Sequence, residues 1–528
     1  MTDTWDYLVV GGGHNGLVAA CTLAESGASV LVLERLPVLG GLSCSGAYIS
    51  EAPEHVLSPG AMDDLFMSST SLAADLQLAR HGHRVARLDA PYGWIGEDGE
   101  TLLLFHDYQR TLDDVRRFSP RDARAYADLR PALDWLIDTQ QLVLTSHPGK
   151  LPKRRLLAQL VRAAPHGRVR RAVARMLSTT LVEMVAETFE SDQMRALLTY
   201  WGSMLGPIDF DGAGYLCVGL AGVHRSPGVM RPRGGMGGLI AALAGRLEEL
   251  GGETRTSAGV ERVLVEHGQA RGVRLSDGTE LAARLGILVS AAPQVALGEL
   301  LEPDVLDTST QAKVATLPAN ANGAATFKVD LAIAGQVKYT SAQAARDRRD
   351  GADLRRTSLM TGTFADQLAQ LREIRRGRTL PTPPVYMAVL SANDDTLAPP
   401  GQDVVYLASN MPVAPSGGWT AERDRYAERL LASVSRFMDG LDAEIGRIVS
   451  SPGDFEERYR TPRGAYFHVD MTPLRLGMNR PARGLGGYTT PVERLYLAGA
   501  GTHPGGGVSG WPGRLAAQTA LRRAGRMR

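Results

Sequence analysis

Gly11, Gly13 and Gly16 stand at the spacing G-x-G-x-x-G, with His14 and Asn15 completing the turn. Chemistry that brings main chain against a pyrophosphate needs glycine at these points. The first allows a tight turn, the second lets backbone approach the phosphates, and the third lets helix and strand pack closely. Tyr7 to Val10 before the turn is a short apolar run. After it, an apolar-periodic helix over Leu17 to Ser26 ends at Gly27, and a second apolar run, Ser29 to Leu33, finishes on Glu34. Strand, glycine turn, helix and strand make a βαβ unit. Its helix directs free N–H groups and a positive end at the phosphates. Glu34 is positioned to accept hydrogen bonds from ribose hydroxyls and would repel a 2′-phosphate.

This turn suits FAD and NAD equally. Two further features favour FAD. Gly40 and Gly41 offer a second close approach of backbone, as an extended FAD requires. Near the other end of the chain, Leu495 to Leu497 leads into Ala498-Gly499-Ala500-Gly501-Thr502-His503-Pro504 and then Gly505 to Gly510. Those glycines admit main chain beside a large ligand. The helix that follows, Trp511 to Ala524, starts with free N–H groups that would stabilise negative charge on a reduced flavin.

The segments GGGHNGL, LER followed by the paired glycines, PRGGMGGL and LYLAGAGTHPGGGVSGWPGR together resemble the phytoene desaturase-like flavoproteins. Within these they resemble the branch named after pyridine nucleotide-disulfide oxidoreductase domain protein 2. The resemblance implies that Gly11, Gly13, Gly16, Glu34 and Gly41 hold the ADP half of FAD, with His14, Asn15, Arg35, Gly40, Leu42 and Ser43 among the cofactor-binding residues. Leu42 stands where the wider family often has an arginine, which removes one phosphate contact. Val260 would touch the adenine region through its backbone. Gly501, Thr502, Gly507, Val508 and Ser509 would line the ribityl chain and isoalloxazine. The implied activity is FAD-dependent desaturation, or dehydrogenation, of a C–C bond in an apolar, unsaturated or polyketide-like small molecule. A redox-neutral polyene isomerase, an amine oxidase and a flavin-stabilised interaction protein stay open as alternatives. The electron acceptor (oxygen, a quinone or another) is not specified. The "disulfide" of the branch name does not carry over, because Cys21, Cys44 and Cys217 include no CxxC pair and indicate neither a zinc site nor a redox dithiol.

Flavin carries the difficult chemistry, so a catalytic triad is not expected. Two residues are candidates for proton handling. His503 sits in the glycine segment and reads equally as a chemical group and as a loop-fixing histidine. Lys328, on a strand over Ala325 to Ala332, reads first as an outward-facing lysine; the resemblance offers a role beside the flavin as the second reading. From Lys150 to Arg175 basic residues alternate with Leu, Val and Ala, broken at Pro165-His166-Gly167 into two short helices. That stretch, 150–175, suits a solvated face and a peripheral contact with anionic lipid about equally.

At 528 residues the chain exceeds one ordinary core. With 58 basic against 57 acidic residues, it lacks the net basic character expected of a nucleic-acid binder. No metal cluster, secretory pattern or membrane-spanning run is legible, which reads as a cytoplasmic protein. Between about 62 and 230 the pattern is helical with little strand signal. The Arg231 to Gly238 stretch is then glycine-rich, and helix Leu239 to Leu250 precedes strands near Gly259 to Glu266, Ala270 to Leu275 and Leu285 to Ser290. The expected fold is α/β: a discontinuous Rossmann-like FAD-binding domain (1–60, 233–300 and 455–528) with an inserted α+β substrate domain (61–232 and 301–454).

Overall fold

The computed structural model describes residues 4–64, 66–163 and 167–527. Strand β1 (Thr4–Val10) is buried from Asp6 onward, as a strand covered on both faces must be. It pairs in parallel with β2 (Val30–Leu33) on one side and β10 (Glu280–Val289) on the other. β7 (Glu253–Arg255) extends the sheet beyond β2, and β16 (Leu495–Leu497) joins the C-terminal half of β10 in parallel. The N-terminal half of β10 turns instead to β9 (Gln269–Leu275), which pairs antiparallel with β8 (Val260–Glu266). Three stretches far apart in sequence thus meet in one seven-stranded sheet. Helices His14–Ala24, Met236–Glu249 and Trp511–Arg523 share one apolar core on one of its faces.

A second seven-stranded sheet has the order β15-β11-β14-β13-β12-β4-β5. Its strands are β4 (Tyr92–Ile95), β5 (Thr101–Leu104), β11 (Ala324–Ile333), β12 (Ser358–Met360), β13 (Tyr386–Val389), β14 (Asp403–Pro412) and β15 (Glu444–Ser450). All neighbours are antiparallel except β12 and β4. The reading of 62–230 as almost strandless is corrected here. β4 and β5 lie in this sheet, and β3 (Val85–Arg87) pairs with β6 (Met230–Pro232). All four residues of β4 and all four of β5 are buried, so neither strand shows the polar alternation that betrays a half-exposed one.

Helix starts also moved. The first helix begins at His14 rather than Leu17, and another at Met236 rather than Leu239, because Gly13 and Gly235 hold non-helical conformations immediately before them. The basic stretch forms helices Lys153–Ala163 and Gly167–Met176; Pro165 and His166 lie outside the described residues. Leu157 and Val161, four residues apart on the first of these, are 60% and 61% exposed. No helix among the described residues is long and apolar enough to cross a membrane.

Candidate active site

A cavity runs between the two sheets, from Glu34 and the glycine turn at one end to Lys328, Tyr386 and Tyr406 at the other. The turn is built from backbone. Gly11 has φ +100°, and a Cβ there would lie 2.5 Å from Ser290 Oγ; that hydroxyl donates to the Gly11 carbonyl at 2.9 Å. A Cβ on Gly16 would fall 2.0 Å from the same carbonyl, so Gly16 lets the helix sit against the strand but does not itself reach the cavity. The Glu34 carboxylate is held by two N–H donors, Gly12 and Leu36, each at 2.8 Å, and it lines the cavity. The Gly40 N–H donates to the Gly12 carbonyl at 2.9 Å, which lays the Gly40–Gly41 loop against the turn.

Among the described residues, three buried polar atoms of cavity-lining residues, His14 Nε2, Asn15 Oδ1 and His468 Nδ1, have no hydrogen-bond partner within 3.5 Å. Burial lowers His14 to about 4 and His468 to about 3, so both rings are neutral near pH 7. The other His14 nitrogen is 3.1 Å from Ser43 Oγ. Buried polar atoms are ordinarily satisfied. Orphans clustered beside a bare glycine turn are what a dinucleotide's phosphates and hydroxyls would complete, so these residues fit FAD. Arg35, Leu42, Ser43 and Val260 line the same end.

From the C-terminal glycine segment, Ala500, Gly507 and Val508 reach the cavity. Gly507 has φ +91°, and a Cβ there would meet the Phe66 ring at 2.5 Å. Gly501, Thr502 and Ser509 stand behind the wall. A Cβ on Gly501 would lie 2.3 Å from Pro293 Cδ, and the Thr502 hydroxyl donates to the Gly499 carbonyl at 2.9 Å. The last helix crosses the first so tightly that a Cβ on Gly513 would sit 1.9 Å from the Asn15 carbonyl oxygen. Both helices therefore begin beside the same stretch of cavity.

The structure separates the two candidates for proton handling. His503 is not brought to the cavity: it is 2% exposed, and its Nε2–H donates to the Val143 carbonyl at 2.9 Å. Lys328 does not face outward, correcting the first reading of it. It is 1% exposed and lines the cavity. Its Nζ donates to the carbonyls of Ser58 (2.5 Å) and Gly60 (3.3 Å) and to Asp330 Oδ1 (3.2 Å), and lies 3.6 Å from the Tyr406 ring centroid. Burial pushes the ammonium below its ordinary value, and the Asp330 carboxylate behind it opposes that shift. Asp330, also buried, is itself pushed up.

Sequence reasoning missed the rest of this chamber. Tyr386 and Tyr406 meet edge to face at 6.1 Å, and Tyr92 and Trp201 do so at 6.0 Å. Met62, Asp63 and Phe66 come from the loop beside them. These residues lie on separate segments with no shared motif, so only the sheet order brings them together. Among the described residues no group of His, Cys, Asp or Glu is arranged to hold a metal ion.

The family model for flavin-containing amine oxidoreductases matches residues 16–527. The chain is 29% identical to a mouse protein named pyridine nucleotide-disulfide oxidoreductase domain-containing protein 2, over 98% of this chain and 93% of the relative. It is 27% identical to a neurosporene-forming phytoene desaturase of Cereibacter sphaeroides, over 95% and 92%. Its fold matches an oxidoreductase structure from Methanosarcina mazei with a TM-score of 0.61 at 18% identity, covering 98% of this chain and 99% of the other.

Proposed function

This chain belongs to the family of flavin-containing amine oxidoreductases and is an FAD-dependent oxidoreductase, and on that premise we propose that it desaturates a C–C bond in an apolar, unsaturated small molecule. The observation that carries the reading is the aromatic and aliphatic chamber continuous with the glycine-lined end of the cavity. Met62, Trp201, Met204, Leu205, Tyr386 and Tyr406 surround it. Such a wall holds an oily body largely by burial. The similarity to phytoene desaturases supports the same reading.

In this proposal Gly11, Gly13, His14, Asn15 and Glu34 hold the ADP half, and Gly507 and Val508 approach the flavin end. Bound FAD supplies the acceptor for two electrons and one hydrogen as C–C becomes C=C. The second hydrogen leaves as a proton, and in this proposal Lys328 Nζ, a titratable group on the chamber wall, takes it. Burial brings its pKa down to about 8, so the neutral amine that accepts the proton becomes available as pH rises toward and past that value. Tyr406 and the Ser58 and Gly60 carbonyls fix where that nitrogen sits, and Asp330 tunes its charge.

The test is anaerobic incubation of the yellow holoenzyme with unsaturated terpenoid candidates, followed by mass spectrometry. Desaturation bleaches the flavin and gives a product lighter by two hydrogens. A product of unchanged mass, formed only with pre-reduced flavin, would show an isomerase. An aldehyde with hydrogen peroxide, after aeration of an amine-reduced enzyme, would show an amine oxidase. The reoxidant (oxygen, quinone or another acceptor) is identified by the compound that restores colour.

The exposed Leu157 and Val161, beside the exposed Arg154 and Arg155, support peripheral contact with anionic lipid as a separate proposal. Co-sedimentation with phosphatidylserine vesicles that fades with salt is the expected result. Sedimentation equal to that with phosphatidylcholine alone would exclude it.

A further inference from the structure

The chamber is not uniformly apolar. Asp63 lines it on the loop that follows Gly60, with a side chain 12% exposed against 4% for its partner Arg231. Both Arg231 contacts fall on one carboxylate oxygen: Nε and Nη2 each lie 2.9 Å from Oδ1. Arg231 has further contacts with Ser358 Oγ at 3.4 Å and Met62 Sδ at 4.0 Å. Among the described residues, the donor to the second oxygen, Oδ2, is the Tyr92 hydroxyl, at 3.4 Å. That is long for an O–H···O bond, whose usual distance is about 2.7–2.8 Å. Asp63, whose Oδ2 has no donor nearer than 3.4 Å among the described residues, thus lines a chamber whose other walls are largely rings and aliphatic groups.

Charge decides what that donor is. Asp63 is cancelled by Arg231, and Asp330 by Lys328. A cationic head would bring an uncompensated charge into a buried site, which is strongly unfavourable. A pure hydrocarbon would strip water from Oδ2 and replace it with nothing. A neutral hydroxyl satisfies the oxygen without adding charge.

Distance bounds the size. Lys328 Nζ lies 3.3 Å from the Gly60 carbonyl. Three residues of chain from Gly60 to Asp63 span at most about 11 Å between Cα atoms. This places the anchor and the lysine in one neighbourhood and sets an upper limit on the length between them.

Resting on the desaturase reading, we infer that the substrate is an alkenyl alcohol, not a bare hydrocarbon: its hydroxyl donates to Asp63 Oδ2 and its apolar body lies along Tyr92, Tyr386 and Tyr406 toward Lys328. Asp63 and Arg231 then select the substrate by its head group, and Arg231 acts by orienting the carboxylate.

The experiment titrates the holoenzyme with geraniol, geranylamine and the hydrocarbon of the same skeleton, reading the flavin absorption spectrum. Geraniol is expected to bind at least about tenfold tighter than either analogue, the scale of one hydrogen bond to a charged acceptor. Asp63→Asn is expected to shrink that gap to about threefold or less, with FAD per chain unchanged. The paired variant Asp63→Leu/Arg231→Met replaces the ion pair by apolar groups and should remove the preference altogether. The inference falls if the hydrocarbon binds as well as the alcohol, if the amine binds tightest, or if both variants keep the wild-type preference. It also falls if the variants lose FAD, which would place Asp63 at the cofactor. Equal binding of alcohol and hydrocarbon leaves the desaturase reading standing. If no ligand perturbs the flavin, the chamber is not beside the cofactor, and that reading fails together with the inference.

Discussion

The two ends of the cavity are built by different means. At the glycine turn the wall is main chain: Gly11, Gly13, Gly40 and Gly41 leave nothing but backbone to touch, and Glu34 is pinned by two N–H groups. At the chamber the wall is side chain, with two buried ion pairs set among aromatic rings. At Gly11 and Gly40 an added Cβ would meet other atoms at 2.5 and 3.0 Å, so the wall there tolerates little change. A side-chain wall can be altered in chemistry while its shape survives, and on the proposed reading that lets substrate choice vary apart from the cofactor.

Four variants would break or sharpen this contrast. The largest effect is expected for Gly16→Ala. Its methyl would fall 2.0 Å from the Gly11 carbonyl oxygen, a backbone atom held on one side by the Ser290 hydroxyl. The helix must shift, costing about 1–3 kcal/mol as overpacking does. We expect a lower Tm and nearly complete loss of bound FAD, measured as flavin absorbance per chain. Full occupancy would show that the turn is softer than its geometry implies.

Lys328→Met comes next. FAD should remain bound, because no contact of the glycine end is touched, while substrate-driven flavin reduction slows by about 100-fold or more, the usual loss for a proton acceptor. Stopped-flow reduction measures this, and an unchanged rate would remove Lys328 from the chemistry. Asp330→Asn should have a subtler effect. The Asp330 charge holds the Lys328 pKa up against burial, so its removal lowers that pKa further. Where the neutral amine is the active form, the rising limb of the rate against pH moves to lower pH. A limb that stays in place would assign it to another group. In the wild type the same depressed lysine binds fewer protons folded than unfolded, so stability rises as pH climbs from the folded value toward the ordinary one. This is checked by Tm across the alkaline range.

The smallest effect is expected for His503→Ala. It loses one hydrogen bond to the Val143 carbonyl, worth about 1 kcal/mol of stability. Flavin content should hold, and reduction should change by no more than about twofold. A larger loss of rate would return His503 to the active site.

The same contrast explains what could be read in advance. The cavity-lining positions of Gly11, Gly13, Glu34 and Gly41 follow from their conformations and the strand–turn–helix period, which are local properties set within a few residues. Gly507 and Val508 were legible for a similar reason, as glycine-rich backbone before a helix. Gly501, Thr502 and Ser509 belong to that run but stand behind it, since a run of glycines does not say which of its residues faces inward. His503 fails on the same ground: its ring turns to a helix far away in sequence.

Local sequence therefore determined the dinucleotide turn, the flavin-type cofactor and the alternation of elements, because tight turns and helix starts answer to neighbouring residues. Only the tertiary structure decided the chamber. Lys328 became buried through strand pairing on both edges of β11. Asp63 met Arg231, and Tyr386 met Tyr406, across separations that no periodicity records. Burial then lowered the Lys328 pKa and raised that of Asp330, and burial is a property of the assembled sheets, not of any one segment.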